Sequence, residues 1–251
     1  MKIFNFMTLL SLTYLSAQVI DGYTIVPFGN ESESTCGNTI DWQDVESYDG
    51  SLGPSKSYVL KTEKPVGRLI LPIDNSNKAY QCTGTIIAKG NFLTAGHCYD
   101  DSKVNPKNSF VQFNYQKDTN GNTRTPIRYN VKQLLEHRKG NLDYAIISFK
   151  NNPTKKYSPR LITEKLPKIN DELTIIQHPN GIPKVIEAGN YSGLNGNYIS
   201  YIDLDTSGGS SGSGVLNSAE KLIAVHTNGG CNSSGGANKG VSILKIQNIL
   251  I

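Results

Sequence analysis

Two short segments of this chain carry side chains that could perform acyl transfer together. His97 follows the run Leu-Thr-Ala-Gly, and Ser211 lies in the glycine-rich run 208–214. An imidazole can take the proton of a serine hydroxyl, and the oxygen then becomes a nucleophile toward a carbonyl carbon. This pair of residue types therefore predicts chemistry that passes through an acyl-serine intermediate.

A carboxylate is the third group that such a site needs, because it holds the imidazole ring in one tautomer. Asp143 follows His97 by 46 positions, and the apolar run 144–147 after it predicts a buried strand. Asp100 and Asp101 are nearer to His97 in the sequence and are rivals for this role. Burial favours Asp143, since the carboxylate that orients the ring has to be shielded from water.

The order His97, Asp143, Ser211 resembles that of the chymotrypsin-like serine peptidases and differs from the order in subtilisins and α/β-hydrolases. Flanking residues extend the resemblance from about Val66 to the end of the sequence. Residues 82–84 and 95–98 resemble the cysteine loop that carries the histidine in trypsin-like enzymes. Residues 205–213 and 224–229 resemble bacterial glutamyl endopeptidases.

The resemblance implies an all-β fold of the chymotrypsin type over residues 66–251. Such a fold has two six-stranded antiparallel β-barrels, with the active site in the cleft between them. The first barrel, about 66–155, would carry the histidine and the aspartate, and the second, about 156–251, would carry the serine. Neither half should be active alone.

Sequence patterns favour the same fold class. Short β-rich runs alternate with turn formers, among them Asn-Gly pairs that favour tight reversals between strands. One short helix is expected, within residues 244–250. The predicted strands are residues 67–72, 80–87, 110–115, 127–131, 144–149, 173–177, 198–203, 222–226 and 241–244.

Four serines share the glycine-rich loop, so the nucleophile has to be chosen among Ser207, Ser210, Ser211 and Ser213. The family's Gly-x-Ser-Gly frame selects Ser211. The resemblance then implies an oxyanion hole built from the backbone N–H groups of Gly209 and Ser211, where glycine permits the required backbone turn. Strand-like runs on both sides of the loop argue against a flexible Gly/Ser linker.

Three residues near the serine bear on specificity. His226 resembles the histidine that lines the primary pocket of glutamyl endopeptidases and can donate a hydrogen bond to a substrate carboxylate. Thr206 matches a second pocket position. Asp205, six residues before Ser211, occupies the position where trypsins keep the acid that attracts Lys or Arg. We expect cleavage after Glu, with cleavage after Lys or Arg as the alternative.

Residues 1–17 are typical of a secretory signal, with Lys2, an apolar run over 4–15 and two small residues at the end. Secretion to the extracellular space is therefore the expectation. The apolar run is shorter than the ~20 residues of a membrane-spanning helix, so no membrane partner is expected. The polar and acidic segment 18–65 is either the propeptide of a zymogen or an ordered N-terminal extension.

Four cysteines permit three disulfide pairings in an oxidising compartment. The resemblance implies the pair Cys82–Cys98. That leaves Cys36 and Cys231 as the second pair, which would tether the segment 18–65 to the second barrel. The chain has no Cys-x-x-Cys or His-x-x-x-His spacing, so no metal site is predicted, and no cofactor is implied.

Charge distribution limits the partners that are expected. The formal net charge of +4 is spread along the chain, and no basic run is interleaved with aromatic residues. Nucleic acid is therefore not expected as a partner. Protein or peptide substrates and a monomeric state are expected.

Three hypotheses follow for the function. The first is a secreted serine endopeptidase that forms an acyl-enzyme through His97, Asp143 and Ser211. The second is a non-catalytic binding protein on the same fold, although proteins of that kind usually lack a member of the triad and this chain has all three. The third is a serine esterase, whose nucleophile joins a strand to a helix, but helical periodicity is absent around Ser211.

Overall fold

Six strands close each of two antiparallel β-barrels in the computed structural model, which describes residues 18–28 and 34–250. The predicted all-β, two-barrel fold is confirmed. The signal segment predicted for residues 1–17 lies outside the described residues.

The regular structure of the described residues consists of short strands, two short α-helices and several 3₁₀ turns. The strands are β1 (Val19–Ile20), β2 (Tyr23–Ile25), β3 (Gln43–Asp44), β4 (Val66–Pro72), β5 (Lys78–Ile86), β6 (Phe92–Thr94), β7 (Phe110–Phe113), β8 (Ile127–Arg138), β9 (Tyr144–Phe149), β10 (Glu172–Gln177), β11 (Val185–Asn195), β12 (Tyr198–Ile202), β13 (Gly214–Asn217), β14 (Leu222–Asn228), β15 (Cys231–Asn232), β16 (Gly235–Gly236) and β17 (Asn238–Ser242). The helices are α1 (Lys56–Thr62) and α2 (Gln247–Leu250). Within the described ranges, neither helix has the length and apolar character needed to cross a membrane.

The first barrel is a ring of β5, β4, β7, β8, β9 and β6, which closes because β5 pairs with both β4 and β6. Every pairing in this ring is antiparallel. Fully buried apolar side chains fill its interior, among them Leu69, Phe92, Phe113 and Ile147. These side chains come from four different strands, so the core holds the ring of strands together.

The second barrel is a ring of β10, β13, β14, β17, β12 and β11, which closes through the pairing of β10 with β11. Its interior contains Leu173, Ile199, Val215 and Ile223, all fully buried. Inward and outward side chains alternate along such strands, so each barrel has its own apolar core.

A third apolar cluster joins the two barrels. Leu93 and Ile146 of the first barrel pack with Leu216, Leu222 and Val225 of the second, and all five are almost completely buried. This cluster connects β6 and β9 to β13 and β14. These are the strands next to the predicted catalytic residues, so the cluster fixes the halves of the site relative to each other.

The N-terminal segment packs against both barrels. β2 pairs in parallel with β5 of the first barrel, and β3 pairs with β11 of the second. Helix α1 is capped by Ser55, whose hydroxyl oxygen accepts a hydrogen bond from the backbone N–H of Tyr58 at 3.2 Å. Val59 of this helix is fully buried in a cluster that includes residues of β4, β10 and β11.

Both expected disulfides are present. Cys82 in β5 is bonded to Cys98, which lies in the 3₁₀ turn that begins at His97. This bond pins the histidine turn to a barrel strand. Cys36 is bonded to Cys231 across 195 positions and joins the N-terminal segment to the second barrel.

Several elements differ from the sequence predictions, among them the barrel strands β6 and β13, which no pattern indicated. The expected C-terminal helix is found as α2, but α1 over residues 56–62 is a second helix that no pattern indicated. The strand over residues 185–195 also went unpredicted, because its glycine and asparagine residues are typical of turns. At Gly189 an added Cβ would lie 2.2 Å from the carbonyl oxygen of Ile202, so glycine is what allows β11 and β12 to approach.

Candidate active site

His97 and Asp143 are joined by a hydrogen bond of 2.7 Å between the histidine Nδ1 and one carboxylate oxygen. The other carboxylate oxygen accepts the backbone N–H of His97, also at 2.7 Å. In the pairing of β6 with β9, Thr94 lies opposite Ala145, so the residues after β6 and before β9 meet at one end of the pair. An ionised carboxylate can only accept, so Nδ1 carries a hydrogen, and in the neutral form of the imidazole Nε2 then keeps a lone pair.

Of the three candidate acids, Asp143 is the one bonded to the imidazole of the predicted base. It is only 7% exposed, as the apolar run after it predicts. Asp100 instead lies 3.0 Å from Nε2 of His137. Asp101 accepts a hydrogen bond from the hydroxyl of Tyr80.

The loop that carries Ser211 rests on the first barrel. The backbone N–H of Thr83 donates to the carbonyl oxygen of Ser211 at 2.8 Å. Gly212 has a φ of +87° and lies so close to β6 that an added Cβ would be 2.1 Å from Oγ1 of Thr94. Because Thr94 comes three residues before His97, the segments that carry the predicted nucleophile and base are in contact.

The other serines of this loop are enclosed or bonded elsewhere. Ser210 is fully buried, and its hydroxyl accepts the backbone N–H of Ser207 at 3.1 Å. The hydroxyl of Ser207 donates to a side-chain oxygen of Asn180 at 2.9 Å. Ser213 is fully buried, whereas Ser211 is 7% exposed. These contacts favour Ser211, the serine that the motif selects.

Two carbonyl groups beside Gly209 are fixed by hydrogen bonds. The hydroxyl of Thr83 donates to the carbonyl oxygen of Gly209 at 2.8 Å. The backbone N–H of Asn180 donates at 2.5 Å to the carbonyl oxygen of Gly208, which belongs to the same peptide group as the N–H of Gly209. The C=O and N–H of a trans peptide point in opposite directions, so the N–H of Gly209 is directed away from Asn180. Gly209 has a φ of +91°, which favours glycine.

His226 lies in β14, where the pairing with β17 shifts register. Its Nδ1 is 2.5 Å from the hydroxyl oxygen of Tyr201. Burial lowers the pKa of His226 to about 3; the His97 ring adds to this effect and Asp143 opposes it. The imidazole is therefore neutral at pH 7. The carbonyl of His226 accepts the backbone N–H of Gly212, which ties it to the serine loop.

Thr206 is held by Asn238, a residue that the sequence does not single out. The amide nitrogen of Asn238 donates to Oγ1 of Thr206 at 3.2 Å and to the carbonyl oxygen of Leu204 at 2.7 Å. Asn238 is fully buried in β17, where it lies opposite Tyr201 of β12. Only the strand pairing reveals this position, because Asn238 belongs to no motif.

The carboxylate of Asp205 is bonded to the N-terminal segment. One oxygen accepts the backbone N–H of Cys36 at 2.6 Å. Carboxylate oxygens of Asp41 and Glu187 lie within 4.8 Å of it and of each other. Burial raises the pKa of Asp205 and raises that of Glu187 to about 9. Three oxygens at these distances could hold a cation or share protons.

The N-terminal segment also contacts the candidate site at two points that the sequence does not indicate. The ring of Phe28 stacks on Tyr80 with centroids 4.1 Å apart, and it meets the ring of His97 edge-on at 6.1 Å. Ser34 forms an antiparallel bridge with Thr206, with N to O distances of 3.0 and 3.3 Å. The predicted base and a predicted pocket residue are thus both in contact with this segment.

The side chain of Ser34 fits closely into the second barrel. Its hydroxyl donates to the amide oxygen of Asn238 at 2.5 Å and accepts the backbone N–H groups of Gly230 at 2.8 Å and Cys231 at 3.0 Å. A Cβ added to Gly229 would lie 2.7 Å from the Cβ of Ser34. Ser34 therefore fills space between β17 and the turn after β14.

The sequence between β5 and β14 matches a known family. The match is to the trypsin-like peptidase domain and covers residues 82–225, more than half of the chain, including His97, Asp143 and Ser211. The chain belongs to the trypsin-like peptidase domain family. This family is one of serine endopeptidases, which are hydrolases of proteins and peptides.

Individual relatives are distant. The chain is 26% identical over 256 residues to secreted RxLR effector protein 73 of Plasmopara viticola. This alignment covers 92% of the chain and 61% of the relative. The chain is also 25% identical over 173 residues to a glutamyl endopeptidase of Staphylococcus epidermidis. That alignment covers 65% of the chain and 59% of the relative. The chain spans about three fifths of the length of these two relatives.

Solved structures share the two-barrel fold. A Glu endopeptidase in complex with MPD has a TM-score of 0.56 at 20% identity, and the superposition covers 89% of this chain and 98% of the endopeptidase chain. The Rv3671c protease of M. tuberculosis in its active form has a TM-score of 0.60 at 14% identity, with coverages of 84% and 89%. At these identities the likeness shows the fold alone.

Proposed function

We propose that this trypsin-like peptidase domain is a secreted serine endopeptidase in which Ser211 is the nucleophile, His97 the general base and Asp143 the acid that orients the imidazole. The observation that carries this proposal is the two-point contact of Asp143, at 2.7 Å to the ring Nδ1 and 2.7 Å to the backbone N–H of His97. A carboxylate bonded in this way fixes both the tautomer and the orientation of the ring.

In this mechanism Nε2 of His97 takes the hydroxyl proton of Ser211 while the oxygen attacks the peptide carbonyl carbon. The proton then passes to the leaving amine, and an acyl-enzyme remains. Water attacks the acyl-enzyme in the second half, with its proton passing through His97 back to Ser211. The N–H groups of Gly209 and Ser211 would receive the oxyanion in both halves, and one such donor contributes about 2.7–4 kcal/mol in characterised peptidases.

Glu is the residue that we expect before the scissile bond. A neutral His226 can donate one N–H to a substrate carboxylate, and the hydroxyl of Thr206 is a second polar group of the proposed pocket. The acid that would attract Lys or Arg, Asp205, is bonded to the backbone of Cys36. Glutamyl endopeptidases among the relatives support the same preference.

The contacts of the N-terminal segment support a zymogen. The ring of Phe28 meets that of His97, and the backbone of Ser34 is bridged to that of Thr206, so the segment lies against both the proposed base and a proposed pocket residue. The disulfide of Cys36 would keep the N-terminal piece attached to the second barrel after a cut on the C-terminal side of that residue. We therefore propose that residues 18–65 lower the activity of the uncut chain.

Two further features support secretion. The two disulfides suit an oxidising compartment, and one relative is named a secreted protein. Residues 1–17 would serve as the signal segment. We propose a monomer that acts on proteins or peptides outside the cell.

The catalytic assignment is tested by replacing Ser211 with Ala and measuring peptide hydrolysis by the matured chain. Hydrolysis should fall to background. Ser213→Ala is the matched control, because Ser213 lies in the same loop, is fully buried and should keep most of the wild-type activity. Full activity of Ser211→Ala would end the proposal.

Peptides that differ only in the residue before the scissile bond test the pocket assignment. Glu should be preferred over Asp, Gln, Lys and Arg. A preference for Lys or Arg would overturn the roles given to His226 and Asp205 and would leave the peptidase mechanism intact.

Latency is tested by comparing the uncut chain with the same chain after limited proteolysis, with the cut located by N-terminal sequencing. Activity should rise after a cut in residues 18–65. Phe28→Ala should raise the activity of the uncut chain severalfold and leave the cut chain unchanged. An uncut chain with the full activity of the cut chain would show that the segment is an ordered extension without an inhibitory role.

A further inference from the structure

The hydroxyl of Tyr201 is the sole hydrogen-bond partner of the His226 ring among the bonds of the described residues. The oxygen and Nδ1 are 2.5 Å apart, Tyr201 is fully buried and His226 is 4% exposed. No part of the proposed catalytic mechanism uses Tyr201. A buried polar pair of this kind needs a reason, because each group loses its contact with water.

The protonation of this pair follows from burial. Burial raises the pKa of Tyr201 well above 10 and lowers the pKa of His226 to about 3, so both groups are neutral at pH 7. A neutral phenol has one hydrogen to donate, and within the described residues Nδ1 of His226 is the one acceptor beside it. The phenol therefore donates to Nδ1, and the ring hydrogen of His226 has to lie on Nε2.

The strands explain how a tyrosine reaches this histidine. Tyr201 in β12 and His226 in β14 are separated by β17, where Gly240 lies opposite His226. A Cβ added to Gly240 would lie 2.5 Å from the carbonyl oxygen of Val225, so glycine lets β17 approach β14 closely beside His226. Tyr201 belongs to the buried apolar cluster of the second barrel together with Ile199 and Ala224.

We propose that Tyr201 is the positioning residue that makes His226 an N–H donor at Nε2, and that it thereby sets the preference of the pocket for a carboxylate side chain. This inference rests on the proposed function, since it concerns the residue before the scissile bond. Without the phenol, the ring could carry its hydrogen on Nδ1 and present a lone pair at Nε2. That lone pair would repel a substrate carboxylate and would tolerate a substrate amide, which can donate.

Tyr201→Phe tests the proposal with a pair of peptides that have Glu or Gln before the scissile bond. The ratio of kcat/KM for Glu over Gln should fall roughly 10- to 100-fold, the range for a hydrogen bond to a charged group. The Gln peptide should be cleaved at nearly the wild-type rate, which also shows that the variant folds. Tyr191→Phe is the matched control, because Tyr191 packs in the same core and does not bond His226.

Nitrogen NMR of the His226 ring reads the tautomer without any catalysis. In Ser211→Ala protein labelled at histidine, His226 should show its hydrogen on Nε2, and addition of Tyr201→Phe should move that hydrogen partly or wholly to Nδ1. The His226 signal is assigned among the four histidines by its absence from a His226 variant.

Three results would overturn the proposal: an unchanged Glu to Gln ratio, an equal loss for both peptides, or hydrogen on Nδ1 in the parent protein. Failure of the proposed function is distinguishable. A chain that cleaves neither peptide contradicts the peptidase assignment, and the nitrogen spectrum still decides which atom of His226 carries the hydrogen.

Discussion

Two histidines, one from each barrel, lie in segments that contact the same serine loop, and they differ in what binds their Nδ1 atom. At His97 the partner is the Asp143 carboxylate at 2.7 Å, and at His226 it is the Tyr201 hydroxyl at 2.5 Å. The carboxylate accepts a hydrogen from Nδ1, whereas the phenol donates one to it. The first ring is left with a lone pair at Nε2 and the second with an N–H.

Under the proposed mechanism, this difference would let one residue type serve as a base in the first barrel and as a hydrogen-bond donor in the second. The side-chain partner decides the tautomer, and burial decides the charge. His226 is enclosed in the second barrel and stays neutral, while the side chain of His97 is 24% exposed and touches an acid. Substitution of Asp143 or Tyr201 should therefore change which nitrogen of the neighbouring histidine carries the hydrogen.

Asp143→Asn should have the largest effect. An amide can donate to Nδ1 of His97, which leaves hydrogen on Nε2 and gives the state that we infer for His226. The kcat for a Glu peptide should fall by about 10⁴-fold, as in characterised serine peptidases with this change. Asp100→Asn, a rival acid bonded to His137, is the matched control and should keep rates within a few-fold. Equal losses in both variants would contradict the account.

His226→Phe should have the next largest effect, because it removes the donor and keeps an aromatic ring in the barrel. The kcat/KM for a Glu peptide should fall roughly 10- to 100-fold, and that for a Gln peptide should change little. His226→Gln retains an N–H and should lose less than His226→Phe. Steady-state kinetics on the two peptides measure these ratios. If both variants discriminate like the wild type, another residue selects the carboxylate.

Glu187→Gln should have the smallest effect, and it should appear in stability. The folded pKa of Glu187 is about 9 against an ordinary value of 4.5, so the folded chain holds a proton that the unfolded chain releases between these pH values. Stability contributed by this group is therefore full below about pH 4.5 and is lost as the pH rises toward about 9.

The free energy of unfolding of the variant should thus equal that of the wild type at about pH 5. At about pH 9 it should exceed the wild-type value by about 1–2 kcal/mol, which corresponds to roughly 4 °C in Tm. Urea or thermal unfolding at the two pH values measures the difference. His226 gives the opposite slope, since its pKa falls from 6.5 to about 3 and stability is lost as the pH drops through that range. A Glu187→Gln difference that does not change with pH would show that this carboxyl titrates normally.

The part of the site that the sequence predicts lies in short motifs. His97 and Ser211 have neighbours that must be glycine for steric reasons, and Gly212 beside Thr94 is an example. Asp143 is found through the buried strand that follows it. Local patterns of this kind are visible in one sequence because their members are neighbours along the chain.

The residues that sequence reasoning missed depend on strand pairing. Tyr201 and Asn238 lie opposite each other in β12 and β17, and no local pattern joins them to His226. Phe28 and Ser34 reach the site from a segment whose polar composition is typical of loops. Helix α1 is short, and its apolar side chains Val59 and Leu60 are too few to form a periodic pattern. The positions of these residues and of helix α1 depend on contacts between segments that are distant in the sequence, so no local pattern predicts them.

Covalent labelling tests the central claim most directly. The matured chain is treated with a fluorophosphonate, and the adduct is located by peptide mapping with mass spectrometry. The account predicts one adduct, on the hydroxyl of Ser211, which is lost in Ser211→Ala and greatly slowed in Asp143→Asn. An adduct on another serine, or a matured chain that hydrolyses peptides and forms no adduct, would contradict it.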